Sequence, residues 1–132
     1  IDNVNVATWK RYAEINFSLG FLEEADLGFT ECVNLGNYEV DTWVKWADVL
    51  KEMHDYPRAL EVLQHGLEFH PESSVINFRL GGIYLLSSQA LEARFYLKNA
   101  YMSDAKQLNH FYETFPEFRS SSFVKQSLSL KV

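Results

Sequence analysis

Apolar residues along this chain recur at helical spacing, with no sustained strand-like alternation. Trp43, Trp46, Ala47, Leu50 and Met53 fall on one face of a helix. After a break at His54-Asp55 comes a second run, Ala59, Leu60, Leu63 and Leu67. Pro57 sits near the start of that run, where its missing N–H does no harm. The same two-run pattern precedes and follows this stretch. Breaks at Leu19-Gly20 and Ser87-Ser88 match the one at His54-Asp55, and Gly36-Asn37, His70-Pro71 and Asp104-Ala105 separate the pairs. The pattern predicts six helices in three pairs, with Asp41, Ser74 and Asp104 as N-caps.

The pairs repeat at a fixed interval. Trp9 and Trp43 are 34 residues apart, and Tyr12-Ala13, Trp46-Ala47 and Leu80-Gly81 keep the same step. So do Ala25, Ala59 and Ala93, then Phe29, Leu63 and Leu97, then Cys32, Gly66 and Ala100. Small residues at Ala13, Ala47 and Gly81, and at Ala25, Ala59 and Ala93, let paired helices approach closely. Large ones (Trp9, Trp43, Phe29, Leu63, Leu97, Tyr84) fill the space beside them. One pair cannot bury its apolar face alone, so neighbours must stack. After residue 104 the repeat fades. Lys106 to Phe115 is predicted as a seventh helix stopped by Pro116, and Ser120 to Leu130 as an eighth. Leu108, Phe111, Tyr112, Phe115, Phe118 and Phe123 suit an end cap.

A 34-residue helix–turn–helix unit with these residues resembles the tetratricopeptide repeat family. Leu80-Gly81-x-x-Tyr84, then Ala93, Leu97 and Ala100, match its pattern best. The second unit supplies Trp43, Trp46-Ala47, Leu50, Ala59, Leu63, Gly66 and Pro71, and the first Trp9, Tyr12-Ala13, Ala25 and Phe29. Asn16 and Asn37 depart from the pattern, where a large apolar residue and a proline are usual. The related half-repeat family of RNA-processing scaffolds also uses paired aromatics, as in Trp43-x-x-Trp46. The resemblance implies an all-α, right-handed superhelical stack forming one domain over 1–132. Its repeats are expected at about 6–37, 40–71 and 74–105, with capping helices at about 106–132. It further implies a non-catalytic protein–protein interaction scaffold that holds a peptide or helix of a partner in a concave groove.

Carried over unit by unit, the expected groove residues are Lys10, Arg11, Glu14 and Phe17 from the first repeat. The second gives Val44, Lys45, Asp48 and Lys51, and the third Val75, Phe78, Arg79, Gly82 and Leu85. Arg11, Lys45 and Arg79 form a basic series at the repeat interval, suited either to partner carboxylates or simply to solvent. The apolar set Val75, Phe78, Leu85 and Leu86 reads as a sticky patch or as a surface covered by the tail after Pro116 or by a neighbouring chain. Some family members clamp a C-terminal carboxylate with five Lys, Asn and Arg side chains. Only Lys10 and Arg79 match those positions here, while Glu14, Lys45 and Val75 occupy the rest, so capture of that kind is not expected.

Composition narrows the function classes further. A net charge of −6 and a pI near 5.1 disfavour direct binding to a nucleic-acid backbone. The single Cys32 excludes an internal disulfide and fits a reducing compartment. No apolar run approaches the roughly 20 residues of a membrane span. The chain starts at Ile1 and not Met, which leads to the expectation of a processed or excised chain. His54, His65, His70 and His110 show no metal-ligand spacing, Cys32 reads as a packed residue, and Glu23-Glu24 suit a helix N-terminus. No catalytic group, cofactor or metal site is therefore expected. The alternative to a partner-binding scaffold is an architectural or self-association module, with an RNA-processing scaffold behind it.

Overall fold

A computed structural model describes residues 3–131. Among them all regular structure is helical: α1 (Asn3–Ser18), α2 (Leu22–Asn34), α3 (Val40–Glu52), α4 (Tyr56–Phe69), α5 (Ser74–Leu86), α6 (Ala90–Ser103), α7 (Leu108–Thr114) and α8 (Ser122–Ser127). Short 3-10 turns at Ala105–Gln107 and Pro116–Phe118 flank α7. The chain divides into two compact units, Ile1–Phe69 and His70–Val132.

In the first unit α1 packs on α2, α2 on α3, and α3 on α4. Ala13, Ala25, Phe29 and Val49 form a core with no exposed surface, and Phe17, Leu22, Trp46 and Met53 pack around it. The small residues do what their spacing suggests. A methyl group added at Gly28 would lie 2.6 Å from the Ala13 side chain, far inside contact distance. α1 and α2 therefore meet almost backbone to backbone.

In the second unit α5 packs on α6, and α7 lies against α5 while α8 lies against α6. Gly81 plays the part of Gly28, since an added methyl would strike Leu97 at 2.6 Å. The capping helices are shorter than their sequence pattern suggests. α7 begins at Leu108 because Asp104 first caps a 3-10 turn, accepting from the Lys106 N–H at 3.1 Å. α8 is confined to Ser122–Ser127, opened by Ser121, whose hydroxyl accepts from the Val124 N–H.

Two predicted caps move. Ser73, not Ser74, caps α5, accepting from the Ile76 N–H at 3.2 Å. The Ser74 hydroxyl is buried and donates instead to the Ala100 carbonyl at 2.8 Å, tying α5 to the end of α6. Glu39 stands at the N-cap of α3 without a side-chain bond, and Asp41 lies in the first turn.

Each first helix ends the same way. Gly20 (φ +82°), His54 (+58°) and Ser88 (+60°) are left-handed, and they too are 34 residues apart. At each, the left-handed N–H and the next N–H return to the last turn of the helix. For α3 these bonds are His54 to Lys51 at 2.9 Å and Asp55 to Leu50 at 2.9 Å. This is the Schellman ending, and it satisfies carbonyls a helix would otherwise leave open. A side chain there costs roughly 1–2 kcal/mol relative to glycine. Ser88→Gly should therefore raise stability by about 0.5–1 kcal/mol after the added freedom of the unfolded chain is subtracted. The check is a urea titration, in which the midpoint rises while the slope stays unchanged.

Candidate partner-binding surface

Lys10 and Glu14 stand one turn apart on α1, and Asp41 and Lys45 one turn apart on α3. Across the two helices these residues form a continuous charge lattice. The Lys10 ammonium lies 2.9 Å from Asp41 and 3.8 Å from Glu39. Lys45 pairs with Glu14 and lies 3.3 Å from Asp41. Arg11 stands exposed beside this lattice. With Ala7, Lys10, Glu14, Ile15 and Ser18 it lines an open depression along α1. Further along α3, Asp48 is half-buried and Lys51 lies 3.2 Å from Glu52.

The lattice shifts two ionisations. Burial works against the Asp41 carboxylate, but the hydrogen bond and charge of Lys10, joined by Lys45, outweigh it and hold its pKa below the usual value. Burial likewise works against the Lys45 ammonium, and Glu14 and Asp41 outweigh it, raising its pKa.

The remaining expected groove residues are placed differently. Val44 is 5% exposed and belongs to the core, and Phe17 packs against the Ala13–Phe29 cluster. In the second unit Phe78, Arg79 and Gly82 are buried beneath the chain's own α7 and the residue that follows it. Phe78 meets Phe111 at 5.4 Å between ring centres. An Arg79 guanidinium nitrogen lies 3.3 Å from His110 Nε2. The Phe115 ring sits so close to Gly82 that a methyl there would be 2.4 Å from it. Val75 and Leu85 are half-buried. Within the apolar patch expected on the third repeat, Phe78 is thus covered by α7, and Phe115 lies against the neighbouring Gly82.

Asp26 carried no signal of its own in the repeat pattern, yet it joins three helices. Its carboxylate accepts from Trp46 Nε1 of α3 at 2.7 Å and from both terminal nitrogens of Arg58 on α4, at 2.8 and 3.1 Å. That hydrogen bond is the main cause of a raised Arg58 pKa. Trp43-x-x-Trp46 also has a packing role: Trp43 stacks between Trp46 at 6.2 Å and Phe69 at 5.9 Å, and Tyr38 stacks on Phe69 at 4.5 Å. Cys32 is fully buried, and burial pushes its thiol up to about 11, so it is a packing residue and a poor nucleophile at neutral pH. Among the described residues no group of three or more His, Cys, Asp or Glu is placed to hold a metal ion. No described helix is long and apolar enough to cross a membrane.

Searches with the sequence find no matching family model and no matching curated protein. Comparison of the structure does find solved structures of similar fold. The TPR2B domain of yeast Sti1, solved in complex with pHsp70, superposes with a TM-score of 0.74 at 14% identity, covering 96% of this chain and 94% of that one. This is the tetratricopeptide-repeat fold. The MamA protein gives a TM-score of 0.74 at 13% identity over 93% of this chain and 69% of that one. The Yersinia enterocolitica type III secretion translocator chaperone SycD gives 0.69 at 18% identity over 94% and 89%. At such identities the likeness is one of fold.

The charge lattice of these repeats has a pH signature. The folded-state pKa of Asp41 is lowered, so its contribution is present above the unfolded carboxylate value of about 3.9 and lost as pH falls through the folded value. The folded-state pKa of Lys45 is raised, so its contribution is present below about 10.4 and lost as pH rises past the folded value. Asp41→Asn should cost under about 1 kcal/mol at neutral pH, because these groups are partly solvent-screened. Urea unfolding from pH 3 to 11 measures it: the difference between wild type and variant should peak near neutrality and shrink at both ends.

Proposed function

We propose that this chain is a non-catalytic protein–protein interaction scaffold, and that a peptide or helix of its partner lies along the face made by α1 and α3. The observation that carries this reading is the lattice of Lys10, Asp41, Lys45 and Glu14. It presents charges of both signs from two consecutive first helices, already held in place by one another. Side chains fixed before binding lose less freedom when a partner arrives. Arg11, Asp48 and Lys51 extend the lattice at its edges and set the partner's charge pattern. A partner with alternating carboxylates and ammonium or guanidinium groups fits this face best. A lone C-terminal carboxylate fits poorly, because it would meet Glu14 and cations that already have anions. The pairing of a fold neighbour with pHsp70 supports a protein-binding role but not that particular ligand.

Burial of Phe78, Arg79 and Gly82 beneath α7 and Phe115 favours a surface within the first unit. Self-association is the second reading, favoured by exposed Leu91, Phe95 and Met102 on α6. Light scattering over a range of concentrations separates the two, since a strict monomer removes the second.

The experiment for the first reading is affinity capture from source cells with mass spectrometry, using wild type beside a Lys45→Glu, Asp48→Lys variant checked for wild-type helicity. We expect at least one protein held by wild type and lost by the variant. Equal recovery on both baits, or no specific recovery, would overturn the α1–α3 face as the working surface.

A further inference from the structure

The two units differ sharply in charge. Ile1–Phe69 carries 13 acidic and 5 basic side chains, and His70–Val132 carries 5 acidic and 7 basic. The contrast reaches the outward faces of the second helices. On α6, Ala93, Leu97 and Ala100 are buried on the side that packs on α5. The opposite side carries Leu91, Phe95 and Met102, which are 78%, 59% and 82% exposed. The same positions are Glu23, Leu27 and Asn34 in the first repeat, and Pro57, Glu61 and Glu68 in the second. Only the third repeat fills all three with large apolar side chains. Arg94 and Lys98 stand exposed along one flank of this stripe. Neither forms an ion pair among the described residues, and Arg94 stacks on Phe123. Packing within the repeat leaves the stripe and its cations open.

We propose that the Leu91–Phe95–Met102 stripe of one copy binds the outer face of α2 of a second copy. α2 offers the complement. Leu27 is 49% exposed, on the side opposite the buried Ala25, Phe29 and Cys32. Glu23 and Glu31 stand about one turn before and after it, with Glu24 beside them. None of the three forms an ion pair among the described residues. At 3.6 residues per turn, Glu24 and Glu31 lie on one flank of Leu27, and Arg94 and Lys98 on the opposite flank of Phe95. The two charge sets therefore meet when the helices run parallel. Apolar area then leaves water at the centre while charges pair at the rim, the ordinary division of an interface. Contact between two copies of α6 does not fit, because it sets Arg94 and Lys98 against cations, and two copies of α2 oppose their carboxylates. The contact is thus one of unlike faces, head to tail. This inference rests on the self-association reading and is independent of the α1–α3 face.

The test exchanges the charges and leaves the apolar residues in place. In sedimentation velocity the wild-type chain should associate as its concentration rises. Arg94→Glu with Lys98→Glu should leave a monomer, and so should Glu24→Lys with Glu31→Lys, each checked for wild-type helicity. An equimolar mixture of the two variants should associate again, because opposite charges face one another once more. Phe95→Ser alters no charge and lies at an exposed position, so it should abolish association with little change in melting temperature. A wild-type chain that stays monomeric at every concentration would overturn the proposal and leave the α1–α3 face untouched. Association of the Glu24→Lys, Glu31→Lys variant by itself would overturn it while keeping self-association, since α6 would then be meeting something other than α2. Two folded, monomeric variants that fail to associate on mixing would also sink it, as would association that survives Phe95→Ser.

Discussion

Everything in this fold depends on how closely the two helices of a pair can approach. At Gly28 and Gly81 there is no room for even one methyl group, because Ala13 or Leu97 already occupies the space. Ala25, Ala59 and Ala93 lie at zero exposure for the same reason. With backbones this near, the bulky residues are pushed to the flanks of each contact. There they form the ridges that meet the next helix, as Trp46, Val49 and Met53 do against α2. The small positions therefore dictate the pairing, and the large positions dictate the stacking. The repeat interval survives because shifting either set by one residue would swap their roles.

This division explains what was legible in the sequence. Positions set by packing recur at an interval of 34, and periodicity found them: the helix pairs, the fully buried Phe29, Leu63 and Leu97, and the small Cys32 and Ala100. The left-handed endings at Gly20, His54 and Ser88 obey the same interval although their residue types differ. Here the backbone is conserved in register while chemistry is not, because hydrogen bonds to the last turn offset the steric cost. The N-caps were less legible. Ser73 and Ser74 are adjacent and chemically identical, and only the position of the first helical turn decides which one caps.

The surface was read less well, and for a physical reason. A groove position inferred from one repeat is open only if nothing else in the chain lies over it. In α5 that condition fails, and the warning was present: Val75, Ile76, Phe78, Leu80, Ile83, Leu85 and Leu86 leave almost no polar face. A helix apolar on all sides is a covered helix. Gly82 made the same point, since an aromatic ring pressed this close to a helix needs a position without a side chain, and Phe115 uses it. Asp26 was missed for the opposite reason. Its equivalents Leu60 and Arg94 share neither its charge nor its role, so a search for repeated chemistry passes over it.

The two units, each taken by itself, cover their helix pairs unequally. The last helix pair has Phe111 and Phe115 laid over α5, and Arg94 of α6 stacks on Phe123 of α8 at 5.1 Å. The first pair keeps Tyr12, Ile15 and Leu19 in solvent beside an exposed arginine. A ridge that α3 buries against α2 is an energetic liability when left open, since apolar area exposed to water forgoes roughly 25 cal/mol per Å2. Scattered apolar residues on a surface need no explanation. The α3 ridge escapes that cost because Ala25 and Phe29 of α2 lie against it.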